Sequence, residues 1–234
     1  ENFAIFIINL ERKPERKKYI LNELEEKSSM NPDINVVKAF DGKTLTDEEF
    51  DVFNSHSIDG LHRGQIGVFY SHLLLWEKIA YGPYDWVFIM EDDANLTDNW
   101  DKKLLDYITE VPDFDLFFGH DGRYVWEVVN ETGNSKRIKW GDFTEENYGR
   151  NIFKDHPVDV KVTENCLKIG PRLDFTGYAI SRKGARYLWN NINRILAPID
   201  IQIWFPNLAD NLNFYSSEVP VITSDEKFGS DTSV

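Results

Sequence analysis

Three consecutive acids, Glu91, Asp92 and Asp93, end the apolar run "DWVFIM" that itself reads as a buried strand. Side chains alternate along an extended segment, so Glu91 and Asp93 are expected on one side and Asp92 on the other. Two hard oxygen ligands with a common direction suit Mg²⁺ or Mn²⁺, above all where substrate phosphates complete the shell. The same acids would equally end a strand and cap the following turn. Ser71 and His72 are also chemically capable, but neighbours on a helix point about 100° apart and no nucleophile elbow surrounds the serine, which excludes a hydrolase triad. The five histidines show no H-E-x-x-H spacing, and His72, on a buried helix, reads equally as a satisfied core polar group.

These acids need a scaffold, and the chain supplies a regular one. "FAIFIINL" is nearly unbroken apolar sequence, as expected of a strand covered on both faces. Pro14 suits a helix first turn, with Tyr19, Ile20 and Leu24 at helical spacing after it. "INVVKAF" is a second strand ending at the turn signal Asp41-Gly42, and Thr46 with Glu49 fits a capping box. A long buried helix starts near Gly64, the strand 85–90 follows, and Trp100, Leu104, Leu105 and Ile108 mark a further helix. "FDLFFG" and "DFTGYAIS" add strands, with Ser181 as N-cap of the next helix and Asp200 as a candidate cap of another. "EVPVITS" is a last short strand. Strands alternating with helices predict an α/β fold with a mainly parallel sheet, at whose strand carboxyl ends ligands collect. Residues 122–172 break the rhythm and read as an irregular insertion within a single domain spanning 1–234.

Composition narrows the classes. The 234 residues are 41% hydrophobic, enough for one sizeable core. Lysine and arginine number 26 against 40 aspartate and glutamate, a net charge of −14 that disfavours nucleic acid and anionic lipid as partners. An anionic ligand therefore needs local compensation by arginines, helix N-termini or a cation. Cys166 is the sole cysteine, so no intrachain disulfide or cysteine zinc site is available. No stretch reads as a transmembrane segment or a signal sequence, which leaves the secretory-pathway lumen, after signal removal, and the cytoplasm both open. Oligomerisation is compatible with exposed aromatics in the insertion.

Taken together, "FIINLERKPERK", "GQIGVFYSHLLLWEKI", "FIMEDDANL", "FTGYAISRKGARYL", "PID" and the terminal "SDTS" resemble the ordered blocks of glycosyltransferase family 25. That family includes lipooligosaccharide galactosyltransferases and the domains that modify collagen hydroxylysine. The resemblance implies a GT-A-like, Rossmann-type fold and an inverting transfer of galactose or glucose from a UDP-sugar to a hydroxyl acceptor. It also implies Mn²⁺, or Mg²⁺, held by Glu91 and Asp93 with Asp231 of the tail as a third ligand, and Asp225 folding over the diphosphate.

On the donor side the same resemblance places Asn9, Leu10, Arg12 and Arg16 at uracil, ribose or phosphates, Phe40, Asp41 and Gly42 in a donor loop, and Asp92 beside the metal acids. Gly64, Gln65 and Gly67 would let the backbone approach the nucleotide, with Ser71 and His72 offering hydrogen bonds. The family usually carries an acid at Gln65 and a cysteine at Val68, so this loop departs from the pattern. Asp174 and Thr176 would contact the hexose. Asp200 is the preferred base and Asp121 the second choice. "YAISRKGARYL" and "DEKFGSDTS" look closer to the collagen-modifying branch, which makes hydroxylysine or galactosyl-hydroxylysine of a collagen-like chain the expected acceptor. A lipid-linked glycan and a non-catalytic glycan-binding domain are the alternatives.

Overall fold

The computed structural model describes residues 4–58, 60–120, 124–128, 135–139, 159–224 and 226–228. The chain opens with β1 (Ala4–Asn9), α1 (Pro14–Lys27) and β2 (Asp33–Lys38), followed by a 3-10 turn at Gly42–Thr44, α2 (Asp47–Asn54) and α3 (Arg63–Ala80). Next come β3 (Trp86–Glu91), β4 (Ala94–Leu96), α4 (Trp100–Glu110) and β5 (Leu116–Phe118). Then follow β6 (Tyr124–Val128), β7 (Ser135–Lys139), β8 (Val160–Lys161), β9 (Cys166–Lys168), β10 (Gly177–Ser181) and α5 (Arg182–Asn191). The last elements are α6 (Ile199–Gln202), α7 (Pro206–Ala209), β11 (Phe214–Ser217), β12 (Ile222–Ser224) and a 3-10 turn at Glu226–Phe228.

Eight strands form one sheet in the order β2-β1-β3-β10-β5-β11-β9-β8. Six of these run the same way, while β10 and β9 run against them. The expected mainly parallel sheet is therefore present, with one reversed strand, β10, at its centre.

Period-two alternation decides which side chain meets which helix layer. Phe6, Ile8, Val87, Ile89, Tyr178 and Ile180 face α3 and α5, burying Ile66, Phe69, Trp76 and Leu188. Ile5, Ile7, Phe88, Met90 and Ala179 face α1 and α4, against Ile20, Leu24, Trp100 and Leu104. Local signals act as the sequence implies: Pro14 sits in the first turn of α1, and Thr46 with Glu49 closes a capping box on α2. The Ser181 hydroxyl accepts from Gly184 N–H at 2.9 Å to start α5. Asp200, in contrast, is not a cap: Pro198 occupies that position in α6, and Asp200 lies in the first turn.

Only part of the segment expected to form an irregular insertion, 122–172, lies among the described residues. Its described part contains the antiparallel β6–β7 hairpin, and β8 and β9 extend the main sheet beyond β11. β4 and β12 pair in a small separate ladder that brings the tail back beside β3's exit. No helix among the described residues is long and apolar enough to cross a membrane.

Candidate active site

The acids gather because of the reversed strand. β10 pairs antiparallel with β3 in the register Gly177↔Met90, so the residues entering β10 lie beside those leaving β3. Glu91 N–H donates to Thr176 O at 3.0 Å, which fixes Asp174, Phe175 and Thr176 next to the acidic triplet. On the other side β1 ends in register with β3, Ile8 opposite Glu91, and puts Asn9 at the same sheet end.

Alternation places Asp92 on the α1 side with Met90 and Asn9. There it is buried, accepts from Asn9 Nδ2 at 2.6 Å and meets Arg16 Nη1 at 3.3 Å. Arg16 Nη1 also reaches Asp93 Oδ2 at 3.4 Å, and Nη2 donates to Phe228 O at 3.1 Å. The expectation that Asp93 would simply share Glu91's side is corrected here. The strand stops at Glu91, Asp92 and Asp93 form a turn, and Asp93 ends up between Glu91 and Arg16. Arg16 and Arg12 were both expected to reach a nucleotide. Arg16 is buried against Asp92, Asp93 and the tail, while Arg12 pairs with Asp41 at 2.7 Å. Against a burial penalty, hydrogen bonds from Arg12 and from Lys43 N–H hold the Asp41 carboxyl below its ordinary value. Leu10, just past β1, is partly buried.

Glu91 projects to the α3 side. Its Oε1 lies 3.6 Å from His72 Nε2, and His72 Nδ1 is 2.8 Å from Tyr178 Oη, which also accepts from Trp76 Nε1 at 2.8 Å. Asp174 completes the ring of acids in a strained conformation: its φ of 82° is one that side chains other than glycine's rarely adopt. Thr176 N–H and Oγ1 donate to Asp174 Oδ1 at 3.0 and 2.6 Å, and Asp174 N–H donates to Asp200 Oδ2 at 3.1 Å. Asp200 is thereby tied to the loop entering β10. That loop is anchored from below by buried Arg172, whose guanidinium pairs with Asp159 at 2.6 Å and whose carbonyl accepts from Trp204 Nε1.

Two glycines stand at close backbone contacts within the protein. A Cβ on Gly42 would fall 1.7 Å from Arg63 O, and one on Gly67 would fall 2.7 Å from Phe40 O. They let the Phe40–Gly42 loop press against the start of α3. Gln65 caps the same helix, accepting from His62 N–H at 2.9 Å, with Gly64 beside it in the first turn. Ser71 donates to Gly67 O at 2.7 Å and accepts from Phe40 N–H at 2.8 Å, so its hydrogen bonds are spent inside the protein. His72 is fully buried and faces Glu91, not solvent. A cavity of about 170 Å³ between the β1–β2 edge and α3 is lined by Lys38, Phe40, Leu74 and Lys78 among others, and no acid lines it.

Electrostatically the site is short of positive charge. Burial, then Asp174, Asp92 and Asp200, push the Glu91 carboxyl well up, with Arg16 only partly opposing. Burial and Glu91 push Asp93 up to about 8, and burial raises Asp200. Burial brings His72 down to about 3, against the pull of Asp200, so its ring is neutral. Asp93 Oδ1 is buried without a hydrogen-bond partner. An orphaned hard oxygen among crowded carboxylates fits a divalent cation. Among the described residues no group of three or more His, Cys, Asp or Glu side chains is placed to hold a metal ion. Asp121, Asp225 and Asp231 lie outside the described residues. The described tail stops at Phe228, packed on Tyr19 at 5.1 Å and bonded to Arg16. Reasoning from sequence missed Tyr178 and Trp76; the one available signal was the four-residue spacing of His72 and Trp76 on a helix.

A glycosyltransferase 25 family member of Aedes aegypti is 30% identical over 145 residues, 55% of this chain and 23% of that protein. Mouse procollagen galactosyltransferase 2 is 28% identical over 46% of this chain and 18% of its own length. A rat protein named probable inactive glycosyltransferase 25 family member 3 is 30% identical over 49% of this chain and 22% of its own. The matched stretch is thus only about a fifth of each relative. Mouse xyloside xylosyltransferase 1 overlays with a TM-score of 0.43 at 10% identity, covering 90% of this chain and 74% of that one. S. aureus TarS 1-349 gives 0.46 at 12% identity, covering 97% and 61%. Both overlays are loose, and the architecture rests on the strand order and pairings above. Residues 2–203 match the model of glycosyltransferase family 25, described as an LPS biosynthesis protein, and the chain belongs to that family.

Proposed function

We propose that this chain is an inverting transferase that moves galactose or glucose from a UDP-sugar to a hydroxyl acceptor, most specifically hydroxylysine or galactosyl-hydroxylysine of a collagen-like chain. The observation that carries the reading is the convergence of Glu91, Asp93, Asp174 and Asp200 at one sheet end, with Asn9 and Arg16 bracing the triplet from β1 and α1. The procollagen name of a relative supports the acceptor, and the negative surface favours encounter with a basic chain.

In this reading Glu91 and Asp93 hold Mn²⁺ or Mg²⁺, which when bound supplies charge neutralisation for the departing diphosphate. Asp231, the third ligand that the family resemblance implies, lies outside the described residues. Leu10, Arg12 and the Phe40–Gly42 loop border the nucleotide, and Thr176 and Asp174 border the hexose. The acceptor oxygen attacks the anomeric carbon from the face opposite UDP, inverting it, and its proton passes to a carboxylate. Asp200 suits that task, because its burial raises its proton affinity and Asp174 N–H fixes its orientation.

The test is UDP release from UDP-galactose and UDP-glucose, with and without Mn²⁺, on deglycosylated and galactosyl-only hydroxylysine peptides. Acceptor-dependent release with one donor supports the reading and identifies the step. Release only with a lipid-linked glycan would shift the acceptor towards the family's LPS description. Mn²⁺-dependent UDP binding without turnover would make this a non-catalytic member, a reading favoured by the relative named probable inactive.

A further inference from the structure

The Glu91 carboxylate has a neighbour that the reading above leaves unused. Trp76 and His72 stand one turn apart on α3, and Tyr178 pairs across the sheet with Ile89, two residues before Glu91 on the same face. All three side chains are fully buried. An indole N–H is a donor only, so the Trp76 Nε1 contact at 2.8 Å makes Tyr178 Oη an acceptor. Among the described residues the phenol's own proton then has one further neighbour at hydrogen-bond distance, His72 Nδ1 at 2.8 Å. Were Nδ1 protonated instead, the buried phenol O–H would go unmatched, a costly arrangement. Nδ1 is therefore the acceptor, and the proton of the neutral ring sits on Nε2. That nitrogen is buried, lacks a hydrogen-bond partner and lies 3.6 Å from Glu91 Oε1.

We propose that His72 is a positioning residue for Glu91: Trp76 and Tyr178 hold it as the Nε2–H tautomer, with its one free donor aimed at the Glu91 carboxylate. Phe175, edge-on to the imidazole at 5.2 Å, blocks the ring from turning away. A neutral donor is the appropriate device here. It orients the carboxylate without neutralising it, so the full negative charge remains for a cation, whereas an arginine in its place would compete with that cation. The inference rests on the reading of Glu91 as a metal ligand, but its tautomer half does not depend on metal.

The first experiment is imidazole ¹⁵N NMR on the metal-free protein at a pH above the value of about 8 to which the Glu91 carboxyl is raised, so that Glu91 is ionised; it distinguishes a protonated from a bare ring nitrogen. The expected result is a proton on Nε2 of His72, a Nε2 resonance that moves in Glu91→Gln, and mixed tautomers in Tyr178→Phe. The second experiment is Mn²⁺ titration. His72→Ala should weaken binding by roughly 10–100-fold, as loss of an outer-shell partner does, and His72→Gln, which keeps a donor near Nε2, should recover part of it. Tyr178→Phe, a near-isosteric change, gives the same reading if His72→Ala fails to fold. A proton on Nδ1 in the wild type, or a Nε2 resonance indifferent to Glu91→Gln, overturns the proposal. The expected tautomer and Glu91 coupling, without any Mn²⁺ affinity in the wild type, would overturn the metal reading alone.

Discussion

The acidic triplet is controlled differently on its two sides. On the α1 side Asp92 is matched by a full positive charge, Arg16, and by the Asn9 amide. On the α3 side Glu91 faces a neutral imidazole, two aspartates and aromatic rings, and among the described residues the cationic side chain that acts on it is Arg16 of α1. The ion pair makes Asp92 a structural group whose charge is already spent. The uncompensated side leaves Glu91 with charge to offer, and Asp93, which shares Arg16 with Asp92 through one oxygen, turns its other, unpartnered oxygen to the same task; that contrast assigns chemistry to Glu91 and Asp93 and architecture to Asp92.

The largest effects should appear on the uncompensated side. Asp93→Ala is expected to abolish transfer and weaken Mn²⁺-dependent UDP binding, with unfolding behaviour little changed; full activity in that variant would remove the contrast. Asp200→Asn should lower turnover by about 10²–10⁴-fold, the usual worth of a positioned proton acceptor, while UDP binding persists. If thermal stability fell and turnover did not, Asp200 would be an architectural acid and the undescribed Asp121 would become the base to test.

On the compensated side the effect should be on stability. Arg16 and Asp92 are buried together, and removing one partner of such a pair costs about 3–5 kcal/mol. Arg16→Met should show a loss of that order in urea unfolding, and adding Asp92→Asn should return part of it. A loss under about 1 kcal/mol, the worth of an exposed pair, would mean that the two sides do not differ as argued.

Much of the frame was legible in the sequence, because it depends on local rules. The Pro14, Thr46–Glu49 and Ser181 helix starts follow from spacing alone, as do the strand at 85–90 and the opposed directions of Glu91 and Asp92. What escaped depends on pairing between distant segments. Nothing local in "DFTGYAIS" says that this strand runs against its neighbours, yet that reversal puts Asp174 and Thr176 beside Glu91. The Tyr178–His72 contact spans 106 positions. Gly67 of "GQIGVFY" signals a close approach correctly, but composition cannot say that Phe40 O and Gly42 N are what lies against it. Asp93 fell off the alternation because a strand's end is set by its partners.

The smallest predicted effect separates the two sides by pH. In the unfolded chain Glu91 and Asp93 titrate near ordinary carboxylate values, whereas in the folded, metal-free protein both hold protons up to about 8. The native state therefore binds more protons across that interval, and stability is lost as pH rises through it. His72 works in the opposite sense: its folded value near 3 lies below the ordinary 6.5, so it contributes stability that is lost as pH falls from 6.5. Between pH 6.5 and 8 the carboxylates act without that opposition. The metal-free protein should lose a few degrees of Tm over this window, Glu91→Gln should flatten the slope, and Mn²⁺ should raise Tm more at pH 8 than at pH 6.5. A Tm that stays level from pH 6.5 to 8 without metal would show that Glu91 and Asp93 are already compensated, and the distinction between the two sides would fail where it matters for chemistry.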